Sequence, residues 1–176
     1  PNHLNLGIRY GYIEQLDDEL LRISKESFDA LSFNCYALSP DHEKMNHALE
    51  ISGLPMIIGE YHFGTVDRGL AQSLWQVNSQ KERGDAFRYY TENAFAHRGL
   101  IGTGWFRWID QNINGRTDGE NYNCGFIDVT DRPYPYMVDA AIETAKSLYE
   151  IHSGTKTPFH QAPNAVGHSP IPDLWE

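Results

Sequence analysis

With 176 residues, 40% of them hydrophobic and 22% charged, the chain is long enough for one sizeable core and short for two. Its net charge of −10, from 24 acidic against 14 basic residues, opposes an extended polyanion such as duplex DNA and favours a neutral ligand. No apolar run approaches the ~20 residues that span a bilayer, and the N-terminus lacks the charged-then-apolar order of a signal peptide, so neither nucleic acid nor membrane is expected as a partner. Cys35 and Cys124 stand far apart without a CxxC or a histidine at zinc-finger spacing, which fits buried thiols.

Read in chain order, the sequence repeats one unit four times: a short apolar strand, a polar loop, then an amphipathic helix. A strand over 4–10 leads to a helix over 14–26 with Leu16, Leu20, Leu21 and Ile23 on one stripe. A strand over 31–36 and the start signal Ser39-Pro40-Asp41 precede a helix over 41–52, striped by Met45, Ala48, Leu49 and Ile51. The third strand, 56–60, begins after Pro55, carries the β-branched pair Ile57-Ile58, and delivers Gly59-Glu60 to its C-terminal end. A helix over 79–97 follows, using Phe87, Tyr90, Ala94 and Phe95. The fourth strand, 100–105, is separated by a long polar loop from a helix over 136–152, whose stripe is Val138, Ala141, Ile142, Ala145, Leu148 and Tyr149. Residues 153–176 are rich in Pro, Gly, His and Ser, and read as a tail over the surface or a linker, with no chemistry assigned.

Four such units form either half of an eight-unit β/α barrel or part of an open doubly wound sheet. They fill nearly the whole chain, whereas a complete barrel needs roughly 250 residues, and no glycine-rich phosphate loop follows any strand. The expected fold is therefore α/β, one half of a barrel over residues 1–152.

In a barrel the strand ends converge on one mouth. Those ends are Arg9-Tyr10, Asn34-Cys35-Tyr36, Glu60-Tyr61-His62 and Trp105-Phe106-Arg107-Trp108, the last followed by Asp110-Gln111. A carboxylate at the end of a buried strand, ringed by aromatic and polar groups, suits catalysis on a flat ring-shaped ligand. A calcium loop over 110–122 is disfavoured, because Asn121 stands where an EF-hand needs glutamate and a strand precedes the loop where a helix is required. Glu60 and His62 do not form the HExxH of a zinc peptidase, and no serine or cysteine has a nucleophile-elbow context. No metal or cofactor is expected.

The strings GEYHFGTVDRG and WFRWIDQNINGRTDGENYNCGFIDVTDRPYP resemble the C-terminal catalytic half of the family-fifty glycoside hydrolases, the β-agarases, which are retaining (β/α)8-barrel enzymes. The resemblance implies that the four strands are barrel strands five to eight and that Glu60 matches the catalytic nucleophile. Tyr36 resembles the clan's tyrosine that hydrogen-bonds the nucleophile; from the residues alone a rim tyrosine packed on a helix fits equally well. Arg9 either holds Glu60 anionic or forms a structural ion pair. Trp105 resembles the tryptophan that stacks the sugar at the cleavage point, while Trp108 is expected in the core. Asn34 and His62 are further substrate-binding candidates, His62 as a donor to a sugar hydroxyl or a carboxylate, or else as a satisfied histidine behind the site. The loop 110–122 offers Asp110, Gln111, Glu120 and Asn121 for vicinal hydroxyls, or is a solvated turn-rich loop.

The family's acid/base glutamate lies after the fourth barrel strand in an Asn-Glu pair, and no such dipeptide occurs here. The chain is therefore expected to carry one catalytic carboxylate of two, to need the upstream half of the same barrel as a partner, and to be inactive alone. The resemblance implies cleavage of β-galactosidic bonds in agarose or its oligosaccharides, outside the cell or in the periplasm. Two alternatives stand beside it: a sugar-binding half-barrel without catalysis, and a clan relative acting on another galactoside.

Overall fold

The computed structural model describes residues 2–168; Pro1 and the last eight positions of the expected tail lie outside the described residues. Four parallel strands form the central sheet in the order β1 (Arg9–Tyr10), β2 (Leu31–Asn34), β3 (Met56–Tyr61), β5 (Leu100–Trp105). Each strand lies beside its predecessor in the chain, so the order does not reverse among these four. The helices α1 (Asp18–Ser27), α2 (His42–Ser52) and α3 (Gln80–Phe95) fill the three crossovers, and α4 (Pro135–His152) follows the last strand of the sheet. A short antiparallel pair, β4 (Trp75–Gln76) with β6 (Val166–Gly167), stands apart from the main sheet.

Local chemistry sets the helix boundaries. Asp17, Asp41 and Ser79 cap the first turns of α1, α2 and α3 by accepting backbone N–H bonds, each such cap contributing about 1 kcal/mol. Gly53 ends α2 in the left-handed conformation with φ of 68°. Pro135 opens α4 at a position where a missing N–H has no consequence.

The core lies between the sheet and one layer of helices. Leu31, Phe33, Met56, Ile58 and Leu100 point into it, where they meet Leu21, Met45, Ala48, Ala86, Tyr90, Ala94 and Met137. Truncating one of these to alanine would cost about 2–5 kcal/mol. The alternate residues Ser32, Asn34, Ile57 and Ile101 face the opposite, more open side of the sheet, so the two faces are unequally covered.

Three expectations need correcting. The first strand is limited to two residues because Gly7 adopts φ of 68°, and Leu4, Leu6 and Ile8 are exposed before it. The first helix begins four residues later than expected, after a 3-10 turn at Ile13–Gln15, and Ile23 lies on its exposed side. On α4 the buried face is Met137, Ala140, Thr144, Ser147 and Ile151, whereas Ile142 and Tyr149 of the expected stripe are exposed, Tyr149 by 88%.

The segment after α4 returns across the helix layer. Glu92, buried on α3, accepts from the Phe159 backbone N–H (2.8 Å), Arg88 Nε (2.9 Å) and Thr144 Oγ1 (3.2 Å). Further along, β6 pairs with β4, and the His168 N–H donates to the Leu74 carbonyl at 2.7 Å.

Candidate active site

Glu60 sits at the end of β3, where an irregularity in register between β2 and β3 brings it opposite Asn34. Three donors from neighbouring strand ends converge on its carboxylate. Arg9 Nη1 lies 2.7 Å from Oε1, while Tyr36 Oη and Asn34 Nδ2 donate to Oε2 at 2.9 and 3.1 Å. Gly59 is required for the first contact: a Cβ there would stand 2.5 Å from Arg9 Cδ. The Glu60 side chain keeps 19% of its surface open, so the carboxylate is held by the protein and still reachable. Burial, and then the charge of Glu60, push the Tyr36 hydroxyl well above its ordinary range and keep it a donor. Tyr12 also feels Glu60: its pKa is raised by burial and by the charges of Glu14 and Glu60, a neighbour that the strand-end pattern did not include.

The aromatic wall differs from expectation. Trp105 and Tyr61 are register partners on β5 and β3, and both turn toward the helices. The Trp105 ring packs edge-on against Tyr61 (5.2 Å), Phe87 (5.6 Å) and Phe126 (5.8 Å), with Nε1–H bonded to the Cys124 carbonyl at 2.7 Å. It therefore belongs to the aromatic cluster behind the sheet rather than to the face that carries Glu60. The residue beside it, Phe106, takes the other side and lies 5.9 Å from the His62 ring. Plain alternation from Leu100 would put Trp105 on the open side with Ile101; the register irregularities between β3 and β5, which pair Trp105 with Tyr61, reverse that. Trp108, expected in the core, is 69% exposed with one face stacked on Phe126 at 6.0 Å.

His62 is not available as a donor to ligand. It is 1% exposed, and its Nε2 accepts the Leu74 N–H at 3.1 Å, which places the ring proton of the neutral imidazole on Nδ1. Burial pushes its pKa down to about 3. The ring instead contacts Tyr36 at 5.0 Å, Tyr122 at 5.7 Å and Phe106.

The loop 110–122 spends its polar groups on itself. Asp110, 5% exposed, accepts from Tyr134 Oη (2.6 Å), the Gly125 N–H (2.7 Å) and Asn123 Nδ2 (2.9 and 3.0 Å). Gln111 is fully buried, donating to Glu120 Oε2 and accepting the Tyr122 N–H, both at 2.7 Å. Glu120 also pairs with Arg116 at 3.3 Å, and Asn121 bonds the Ala71 N–H and the Ile113 carbonyl. The expected sugar-binding groups are thus engaged in holding the loop. Arg83 on α3, fully buried, completes that hold by donating to the carbonyls of Asn123 (2.9 Å) and Gly125 (2.6 Å) and lying 4.4 Å over the Tyr134 ring. Nothing in the local sequence distinguishes it from a surface helix arginine.

No family model matches the chain. β-Agarase A of Vibrio sp. (strain JT0107) is 37% identical over 156 residues, which is 85% of this chain and 16% of that protein. Among solved structures, PfGH50B superposes with a TM-score of 0.81 at 38% identity, over 86% of this chain and 22% of that one. An exo-β-agarase does so with a TM-score of 0.80 at 36% identity, over 89% and 21%. The chain thus spans 16% of the length of that curated relative. Over most of its own length it belongs to glycoside hydrolase family fifty.

Proposed function

We propose that this chain is the nucleophile-bearing part of a retaining glycoside hydrolase that cleaves β-galactosidic bonds in agarose or its oligosaccharides. The observation that carries the reading is Glu60 itself: a carboxylate open to solvent, fixed through both oxygens by Arg9, Tyr36 and Asn34. Donors on both oxygens hold the carboxylate in one orientation, which is what a nucleophile requires. Glu60 attacks the anomeric carbon and forms a glycosyl ester, while a second carboxylic acid about 5–5.5 Å away protonates the leaving oxygen and then activates water. The charge that Glu60 loses on attack is drawn from a carboxylate already oriented, so little reorganisation accompanies the step. Phe106, on the Glu60 side of the sheet, offers the apolar face for the sugar ring in place of Trp105.

The acid/base carboxylate is supplied by the upstream half of the same (β/α)8 barrel, and this chain alone is not a catalyst. Among the described residues, β1 and β5 each lack a neighbour on one side. Apolar side chains line both flanks: Leu4, Leu6 and Ile8 before β1, and Ile142 and Tyr149 on α4. Exposed edges and apolar rows of this kind call for a cover. A polymeric galactan is met outside the cytoplasm, which places the enzyme in the extracellular medium or periplasm; no helix of the described residues is long and apolar enough to cross a membrane.

The test is turnover of agaro-oligosaccharides by the full-length protein, with the anomeric configuration of the fresh product followed by NMR. Retention, abolished by Glu60→Gln, is expected. Sugar binding without turnover would replace this reading with a non-catalytic binding module, and inversion would remove Glu60 as nucleophile.

A further inference from the structure

We infer that His62 is a positioning residue that holds Tyr36 on Glu60, and that it is itself held by the backbone N–H of Leu74. The inference rests on the reading of Glu60 as nucleophile, and it assigns work to a histidine that touches no ligand.

The geometry is a relay of contacts. Tyr36 reaches Glu60 Oε2 from one residue past the last backbone bond to β3, Cys35 N–H to the Glu60 carbonyl at 2.9 Å, so its backbone is anchored while the direction of its ring is left to its neighbours. What stands beside its ring is His62, 5.0 Å between centroids and inclined at 68°, an edge-on contact. The same imidazole touches Phe106 and Tyr122, so one buried ring braces three aromatic side chains around the carboxylate. Edge-on packing fixes a neighbour only if the bracing ring is itself fixed. The hydrogen bond from the Leu74 N–H to Nε2 fixes it, and the Phe106 backbone also interacts with the ring.

The Leu74 backbone is anchored on both sides. The adjoining Trp75 carbonyl accepts the Gly64 N–H at 2.9 Å, the Gly64 carbonyl accepts the Val77 N–H at 2.9 Å, and the Leu74 carbonyl accepts from His168. The tail strand β6 therefore closes the ladder that presents the Leu74 N–H to His62. Because Nε2 must accept, the imidazole must be neutral, and an acceptor of similar reach can replace that bond without replacing the ring.

Two substitutions separate ring from acceptor. His62→Gln keeps an acceptor for Leu74 and loses the aromatic brace; His62→Phe keeps a ring and leaves the Leu74 N–H without its partner. Crystal structures of both variants in the full-length protein read the Tyr36–Glu60 separation directly, independent of activity. The expected result is that the Tyr36 hydroxyl moves beyond hydrogen-bond reach of Glu60 in His62→Gln. A separation still near its present length in both variants would overturn the inference.

The kinetic arm uses a 2-fluoro-galactoside with a good leaving group, following covalent labelling of Glu60. His62→Gln is expected to lower the maximal labelling rate by about 10-fold while leaving the inactivator's dissociation constant unchanged, and to be non-additive with Tyr36→Phe. A full rate in His62→Gln beside a slow Tyr36→Phe, or additive losses in the double variant, would also overturn it. Failure of the wild-type protein to label at Glu60 would instead remove the nucleophile reading, with the crystallographic arm still deciding what His62 does.

Discussion

Glu60 and Asp110 are both carboxylates gripped by several donors, yet the structure uses them in opposite ways. The donors to Glu60 come from successive strand ends, and one side of the carboxylate stays open. Those to Asp110 come from its own loop and the start of α4, and they seal it from solvent. Dense hydrogen bonding around a carboxylate is therefore no sign of catalysis by itself. What separates the two is where the donors originate and whether a face is left free for substrate.

Exchanging the charge at each position breaks the comparison most sharply. Glu60→Gln should lower turnover by the full-length protein on the order of 10³-fold or more, since no other group replaces a nucleophile, with the thermal midpoint almost unchanged. Asp110→Asn should do the reverse, costing about 3 kcal/mol in urea denaturation because Tyr134, Asn123 and Gly125 lose an acceptor that matches all of them. Equal losses of stability at the two positions would erase the distinction.

A smaller effect belongs to Tyr36→Phe. Removing one bond to a charged acceptor corresponds to about 1.5–3 kcal/mol, so a loss of roughly 10- to 100-fold in kcat is expected, measured under saturating oligosaccharide. Smaller again is the acid sensitivity set by His62. Its folded pKa, about 3, lies below the ordinary 6.5, so the unfolded chain binds a proton that the folded chain refuses. Its contribution to stability is present above pH 6.5 and is lost as pH falls toward 3, by at most about 1.4 kcal/mol per pH unit. His62→Gln should flatten that share of the stability profile, and an unchanged slope would show that the group titrates freely in the fold. The smallest effect expected is from Trp108→Ala, about 1 kcal/mol or less, because only one face of the ring is packed.

Much of this was legible in the sequence for a simple reason. Short apolar runs such as 56–60 identify strands, and the polar residue at each strand end is placed by topology, which is how Arg9, Asn34, Tyr36 and Glu60 come together. What was not legible depended on groups distant in the chain. The loop 110–122 looks like a ligand-binding surface until Tyr134, on the approach to α4, is seen to bond Asp110, and Arg83 of α3 to hold the segment just after it through the Asn123 and Gly125 carbonyls. The buried face of α4 includes Thr144 and Ser147, Thr144 against Glu92, so counting apolar residues shifts the stripe round the helix and takes in the exposed Ile142 and Tyr149. Trp105 and Phe106 are adjacent, and only the register with Tyr61 decides which of them faces Glu60.

Treating the full-length protein with a 2-fluoro-galactoside and mapping the adduct by peptide mass spectrometry tests the central claim most directly. A stable glycosyl ester on Glu60, absent from Glu60→Gln, is the predicted result. An adduct on any other residue, or rapid agarose turnover with no adduct, would contradict it.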